Sequence, residues 1–338
     1  MCIAFERVSD LKAILPRSRI ANSEHGIELK LGREISSVDA KRKRLILKSG
    51  GESGFDQLIV ATGARPRTLD IPGAKLRNVH YLLSLDDSKA IRLFAEGIKR
   101  VVAMVLSEDR IWKRFFSPQM SSFFESYYSA RGVQFVKSAT VTELRGDMAV
   151  NSVVLASGKA IACEMVVVGV GVFPATDMLA DSGIELADGV LVNEYLETNQ
   201  TGIYAAGDVA NYQDVLFGKR RRVEHWDNAV SQGQYCAHAL MGERTPFKHV
   251  PYFFSDVFDL SYEYWGDSSG AEQIIHRGDP SGKSFSVWWL REKRVVAAFT
   301  MNRPDEERDA APKWIEGRQQ VSAAKLENAS QSISTAVE

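Results

Sequence analysis

Leu58-Ile59-Val60-Ala61-Thr62-Gly63-Ala64-Arg65-Pro66 and Val166-Val167-Val168-Gly169-Val170-Gly171-Val172-Phe173-Pro174 are two stretches that end alike. Each is a short apolar run closed by Gly-x-x-Pro, which reads as a buried strand leaving its sheet through a turn. Upstream, Gly26-Ile27-Glu28-Leu29 opens a strand-like series ahead of the first stretch, and Gly132-Val133-Gln134-Phe135 opens one ahead of the second. The openings lie 106 residues apart (132 minus 26) and the closing motifs 108 (171 minus 63), so the chain carries two copies of one unit. Each copy predicts a core strand, a meander turning at Ser49-Gly50-Gly51 or Ser157-Gly158, and a buried closing strand. That is the later half of a doubly wound α/β domain.

A third stretch, Thr201-Gly202-Ile203-Tyr204-Ala205-Ala206-Gly207-Asp208-Val209-Ala210, ends an apolar strand on a glycine and one carboxylate. Ligands of open α/β sheets sit outside the carboxyl ends of strands, where a lone Asp suits a sugar-like hydroxyl. Gly207 lets the backbone approach such a ligand, although Gly-Asp alone also reads as an ordinary turn after a buried strand.

What precedes each copy is short. Ahead of the second, Ser117 caps a helix with Pro118 in its first turn. Met120, Phe123, Phe124, Tyr127 and Tyr128 form one apolar face of that helix, which is read as core packing. A dinucleotide domain also needs a G-x-G-x-x-G loop leading into a helix N-terminus that receives the pyrophosphate. The segment Arg100-Val101-Val102-Ala103-Met104-Val105-Leu106-Ser107 runs straight through, too short for a parallel crossover. Ahead of the first copy there is no glycine before Gly26 and only a brief strand candidate at Ile3-Ala4-Phe5. Both phosphate-cradling loops are expected to be missing, so both units are truncated at the front.

Composition bounds the partners. The 338 residues are 45% hydrophobic and 25% charged with a formal net charge of −1, a balance that argues against a dedicated nucleic-acid or membrane-surface role. The basic runs Lys41-Arg42-Lys43-Arg44 and Lys219-Arg220-Arg221-Arg222 read as solvated loops. The longest apolar run, residues 165–173, is too short to span a bilayer, and Met1 opens no charged-apolar-small leader, so a cytoplasmic location is expected. Cys2, Cys163 and Cys236 are too scattered for a disulfide framework, a dithiol redox centre or a zinc site.

Taken together, the closing strands at 58–66 and 169–174, Val190-Leu191-Val192-Asn193-Glu194-Tyr195-Leu196-Glu197-Thr198 and the segment 202–210 resemble the FAD-dependent pyridine nucleotide-disulfide oxidoreductase superfamily. Arg222-Val223-Glu224-His225-Trp226-Asp227-Asn228-Ala229 and Pro251-Tyr252-Phe253-Phe254-Ser255-Asp256-Val257-Phe258-Asp259-Leu260 narrow the likeness to the ferredoxin reductase, monodehydroascorbate reductase and apoptosis-inducing-factor-like branch, which lacks a dithiol. The likeness extends over residues 10–315 and departs from the family at both glycine loops.

The resemblance implies an α/β protein with two doubly wound FAD- and NAD(P)-binding-type domains and a C-terminal α/β domain. Residues 1–98 and 173–245 would form the FAD domain, 99–172 the NAD(P) domain and 246–315 the C-terminal domain, followed by a mobile tail at 316–338. It implies that Ala61, Thr62 and Gly63 pass close to FAD, while Gly207 and Asp208 hold its ribityl chain. Glu224, His225 and Trp226 would begin a helix facing the flavin ring, with Glu224 and His225 catalytic and His225 assisting proton transfer near neutral pH; a packed, hydrogen-bonded His225 is the alternative. Trp226 and Phe254 would line the ring or fill a domain interface. Glu108, Gly169 and Gly171 would belong to the NAD(P)H side. The implied reaction passes electrons from NAD(P)H through FAD to a ferredoxin-like iron–sulfur protein, a quinone or an ascorbate radical. With both loops missing, little turnover is expected unless dimerisation compensates. The competing reading is a non-catalytic remnant that binds no cofactor tightly.

Overall fold

A computed structural model describes residues 27–96 and 102–338. The chain divides into two compact units, one holding the residues up to 64 and from 174 onward, the other residues 65–173. The crossing near 64 differs from the boundary expected at 98: residues 65–96 go with the second unit, because strand Val79–Tyr81 pairs in parallel with Val166–Val168. The strand candidate at Ile3-Ala4-Phe5 lies outside the described residues.

In the first unit, Ile35–Asp39, Arg44–Leu47 and Glu52–Gly54 form an antiparallel meander. Ile27 and Leu29 are exposed and form no strand, so the first copy opens at Ile35, later than its sequence suggests. The closing strand Leu58–Val60 pairs in parallel with Ile203–Ala205. Gly189–Val192 and Ala210–Asp214 are the parallel centre of a four-stranded sheet edged by Leu186–Ala187 and Lys219–Arg221. Leu179, Val190, Leu196, Ile203, Ala205 and Val209 are almost wholly buried between these layers. Helix Trp226–Leu240 adds Cys236 to that core.

The same unit carries a five-stranded antiparallel sheet in the order Tyr252–Val257, Leu260–Gly266, Arg294–Met301, Ser284–Arg291, Gln273–Asp279. Its central hairpin turns on Glu292 and Lys293, both with left-handed backbone (φ 51° and 61°), the conformation a two-residue hairpin turn demands. Helix Asp305–Glu316 covers one face through Ala311 and Ile315.

Residues 316–338 are not a mobile tail. Gln320 bridges to Arg294 and Val321 to Val337, and Val321, Leu326, Ile333 and Ala336 are buried in the core under the sheet. The Arg277 guanidinium fixes this segment by donating to the carbonyls of Leu326 (3.1 Å), Asn328 (2.5 Å) and Gln331 (2.5 Å). Its charge is balanced by Glu307 at 2.8 Å, which also accepts from Ser286 Oγ and Arg303. A composition rich in Ser, Ala and Gln concealed this, because four apolar residues spread over 16 positions leave no periodic signal.

In the second unit, strands Ala103–Val105 and Gln134–Val136 pair in parallel, joined by helix Pro118–Ser129. Ser117 caps that helix, its Oγ accepting from Met120 N at 3.3 Å. Met120, Phe124, Tyr127 and Tyr128 are buried, and Trp112 packs edge-on against Phe124 at 5.0 Å, so the aromatic face is core. The antiparallel meander Val141–Arg145, Ser152–Leu155, Ala160–Ala162 repeats that of the first unit and packs against Val79, Val105, Val136 and Val166.

Candidate functional site

The two parallel strands Leu58–Val60 and Ile203–Ala205 end side by side, with Val60 opposite Ala205 and Ala206 N donating to Val60 O at 3.0 Å. Two loops therefore leave adjacent carboxyl ends: residues 61–63 and the short 3-10 turn Gly207–Val209. In the first loop, Thr62 Oγ1 donates to Ala175 O at 2.7 Å and Gly63 O accepts from Ala175 N at 2.9 Å. These bonds tie the loop to the segment that re-enters the unit.

In the second loop, Gly207 has φ +78° and donates its N–H to Gln232 Oε1 at 2.7 Å. A Cβ on Gly207 would lie 3.4 Å from Ala229 Cβ, so the turn is drawn tightly onto helix Trp226–Leu240. Arg222 holds the next residue, its Nη1 donating to the Asp208 carbonyl at 2.8 Å. The remaining guanidinium charge is shared with Glu224 (2.8 Å) and Asp188 (3.2 Å). The Asp208 carboxylate is left half-buried with no hydrogen bond among the described residues. Burial and the nearby Glu224 charge raise its pKa above the ordinary aspartate range, with Arg222 opposing.

The helix beside this loop begins at Trp226 with His225 at the N-cap position, where the His225 side chain makes no capping bond. Burial, then the Arg221 charge, push the His225 imidazole down to about 4. Its ring meets Phe253 edge-on at 5.1 Å, and Phe253 in turn stacks on Tyr264. A ring held neutral at pH 7 is a poor proton donor and remains a proton acceptor, and its Nδ1 has no hydrogen-bond partner among the described residues. Glu224 is exposed and ion-paired to Arg222. Trp226 and Phe254 keep 63% and 60% of their surface exposed, which is unusual for side chains of this size and leaves them open to a planar ligand.

The sequence expectations separate into two groups. Ala61, Thr62, Gly63, Gly207, Asp208, Glu224, His225, Trp226 and Phe254 fall in the first unit; Glu108, Gly169 and Gly171 fall in the second. Glu108 lies in the loop after strand Ala103–Val105 and is half-buried, its carbonyl accepting from Ser138 N at 2.9 Å. Gly169 is exposed with open space around its Cα, whereas a Cβ on Gly171 would meet Arg67 Cδ at 3.5 Å. Residues 106–117, which lead from that strand to helix Pro118–Ser129, contain no glycine. Among the described residues, the residues at the N-cap of every α-helix with assigned caps are Ser117, His225, Pro304 and Ser322, none of them in a glycine-rich turn.

Sequence reasoning passed over Arg222, Asn228 and Gln232. Asn228 and Gln232 are wholly buried one helical turn apart, with Cys236 one turn further, on the face that packs against Gly207. Two amides at core positions of an otherwise apolar stripe were the available signal. Asn228 Oδ1 and Gln232 Nε2 find no partner among the described residues.

Comparison with known proteins places these features. The profile of the pyridine nucleotide-disulphide oxidoreductases matches residues 3–103 and 93–233, and that of the reductase C-terminal domain matches residues 252–337. The peroxisomal monodehydroascorbate reductase 4 of Arabidopsis thaliana is 31% identical over 86% of this chain, which spans 66% of that relative's length. The rubredoxin-NAD(+) reductase of Pseudomonas putida is 29% identical over 83% of this chain and 79% of its own. The crystal structure of the ferredoxin reductase for the CYP199A2 system from Rhodopseudomonas palustris superposes with a TM-score of 0.92 at 29% identity, covering 98% of this chain and 87% of that one.

Proposed function

The chain belongs to the pyridine nucleotide-disulphide oxidoreductase family, and from that membership we propose that it is a flavin-dependent reductase whose ribityl-binding group is Asp208. Members of this family use FAD and NAD(P)H. One observation carries the reading: a half-buried carboxylate stands at the carboxyl end of a parallel strand and makes no hydrogen bond among the described residues. A partly desolvated acceptor gains from donors, and polyol hydroxyls supply them. The residues present therefore fit the ribityl end of FAD.

Bound FAD would supply the redox chemistry, accepting electrons from NAD(P)H and releasing them to an acceptor. The chain's own residues position it. Gly207 lets the turn lie against helix Trp226–Leu240, Arg222 holds the Asp208 backbone in place, and Trp226 and Phe254 offer apolar surface for the ring. The N-terminus of helix Trp226–Leu240 favours negative charge beside it by about 0.3–1 kcal/mol. The His225 ring, held neutral at pH 7 by burial, shapes the wall. The electron acceptor is an iron–sulfur or rubredoxin-type protein or a small-molecule radical, in line with the names of the relatives.

The glycine-free approach to helix Pro118–Ser129 offers no cradle for a nicotinamide diphosphate, so weak NAD(P)H binding and slow turnover are expected. The test is to purify the chain, titrate FAD by its absorbance and quenched fluorescence, and follow NADH oxidation with ferricyanide. Saturable FAD binding with slow NADH turnover is expected. Absence of any saturable flavin binding would leave the non-catalytic alternative, and rapid turnover would overturn the loss of diphosphate binding.

A further inference from the structure

We propose that this chain has a second ligand site, remote from Asp208, that takes a small amphiphilic anion: a carboxylate or phosphate head on an aromatic or aliphatic body. The site is a cavity of about 420 Å³ between the turn at residues 216–218, the tip of the hairpin Ser284–Arg291/Arg294–Met301 and the end of helix Asp305–Glu316. Strand Ala210–Asp214 separates it from Asp208 by five residues, about 16 Å of extended chain.

Its charge is unbalanced. Arg291 and Arg294 are direct cross-strand partners at the hairpin tip, and like charges placed opposite one another repel. Arg291 makes no hydrogen bond or ion pair among the described residues, and Arg294 approaches Glu292 only at 3.8 Å. Arg318, held in a left-handed conformation (φ 52°), spends one N–H on Leu216 O at 3.0 Å and brings a third guanidinium to the rim. Three arginines and one glutamate line the cavity, with the Glu272 carboxylate accepting from Glu292 N at 3.1 Å beside them. Beneath them Leu216, Val295 and Ile315 are almost wholly buried, so the apolar surface open to a ligand comes chiefly from the half-buried Phe217.

Arginine forks match carboxylate and phosphate oxygens in pairs, and a concave apolar floor of this volume holds a ligand of drug-like or smaller size. An anion would relieve the Arg291–Arg294 repulsion while its body covers the floor. Neither a bare ion nor an uncharged hydrophobe satisfies both halves.

Calorimetric titration of the full chain tests this with 2-naphthoate, uncharged 2-naphthamide and inorganic phosphate. One saturable naphthoate site is expected, at least tenfold tighter than either control. The Arg291→Gln/Arg294→Gln double variant should weaken it at least tenfold while leaving the thermal midpoint unchanged or raised. Arg291→Glu, on an exposed side chain, should do the same by charge reversal. No saturable binding, equal binding by naphthamide, or equal binding by the variants would overturn the proposal. So would competition by FAD, which would place the naphthoate at the Asp208 loop.

Discussion

Replacing Asp208 by Asn should move cofactor affinity and apoprotein stability in opposite directions. In the flavin-bound protein the carboxylate accepts from polyol hydroxyls, and a hydrogen bond to a charged group contributes about 1.5–3 kcal/mol. The Asn variant should therefore bind FAD about 10- to 150-fold more weakly. In the apoprotein the same carboxylate is half-buried with no donor among the described residues, beside the Glu224 charge, so its removal should stabilise. With solvent still reaching it, that gain is about 0.5–1 kcal/mol, or about 1–2 °C in Tm.

The pH dependence follows from the raised pKa. Between the unfolded value of 3.8 and the higher folded value, the native state holds the proton more tightly than the unfolded chain. Stability from this group is thus present below 3.8 and lost as pH rises through the folded value. The Tm gap between Asn variant and wild type should be full at pH 7 and close as pH falls toward 4. Thermal melts of both apoproteins across that range, with FAD titrations at pH 7, supply both readouts. An Asn variant that melts lower than wild type without cofactor, or binds FAD equally well, refutes the assignment.

Three further outcomes are expected. His225, depressed to about 4 by burial, adds stability that is complete above its unfolded pKa of 6.5 and is lost as pH falls toward 4; His225→Phe should flatten that slope in melts, and a ring signal titrating near 6.5 by NMR would contradict it. Gly207→Ala should cost about 1 kcal/mol from the positive φ and weaken flavin binding severalfold, since the new Cβ lies 3.4 Å from Ala229 Cβ; an unchanged melting midpoint argues against strain. Glu307→Ala leaves Arg277 charged and buried, which should cost about 3–5 kcal/mol and free residues 316–338 to trypsin; unaltered proteolysis would show that the Arg277 contacts do not hold that segment.

Much of the architecture was legible because strands advertise themselves through local apolar runs. The closing strands at 58–60 and 166–168, the helix cap at Ser117 and the buried face Met120, Phe124, Tyr127 and Tyr128 all rest on residues within one turn or one strand of each other. The missed features are long-range. Residues 316–338 are held by carbonyls meeting Arg277 some 50 positions away, and the reassignment of residues 65–96 depends on Val79 finding Val166. At the site, Asp208 was visible as a carboxylate after a strand, but Arg222, Asn228 and Gln232 matter only because the helix lies against Gly207.

The sequence by itself determined the repeated α/β unit, the carboxylate at the end of the third apolar strand and the glycine-free stretch 106–117 ahead of helix Pro118–Ser129, since periodicity and residue type are local properties of the chain. Only the tertiary structure decided protonation and partnership. It spends Arg222 on Asp188, Glu224 and the backbone, so that among the described residues Asp208 has no donor, and it lowers the pKa of His225 by burying it against Phe253 near Arg221. Desolvation and Coulomb energy depend on what surrounds a group in space, and spacing along the chain does not encode those neighbours.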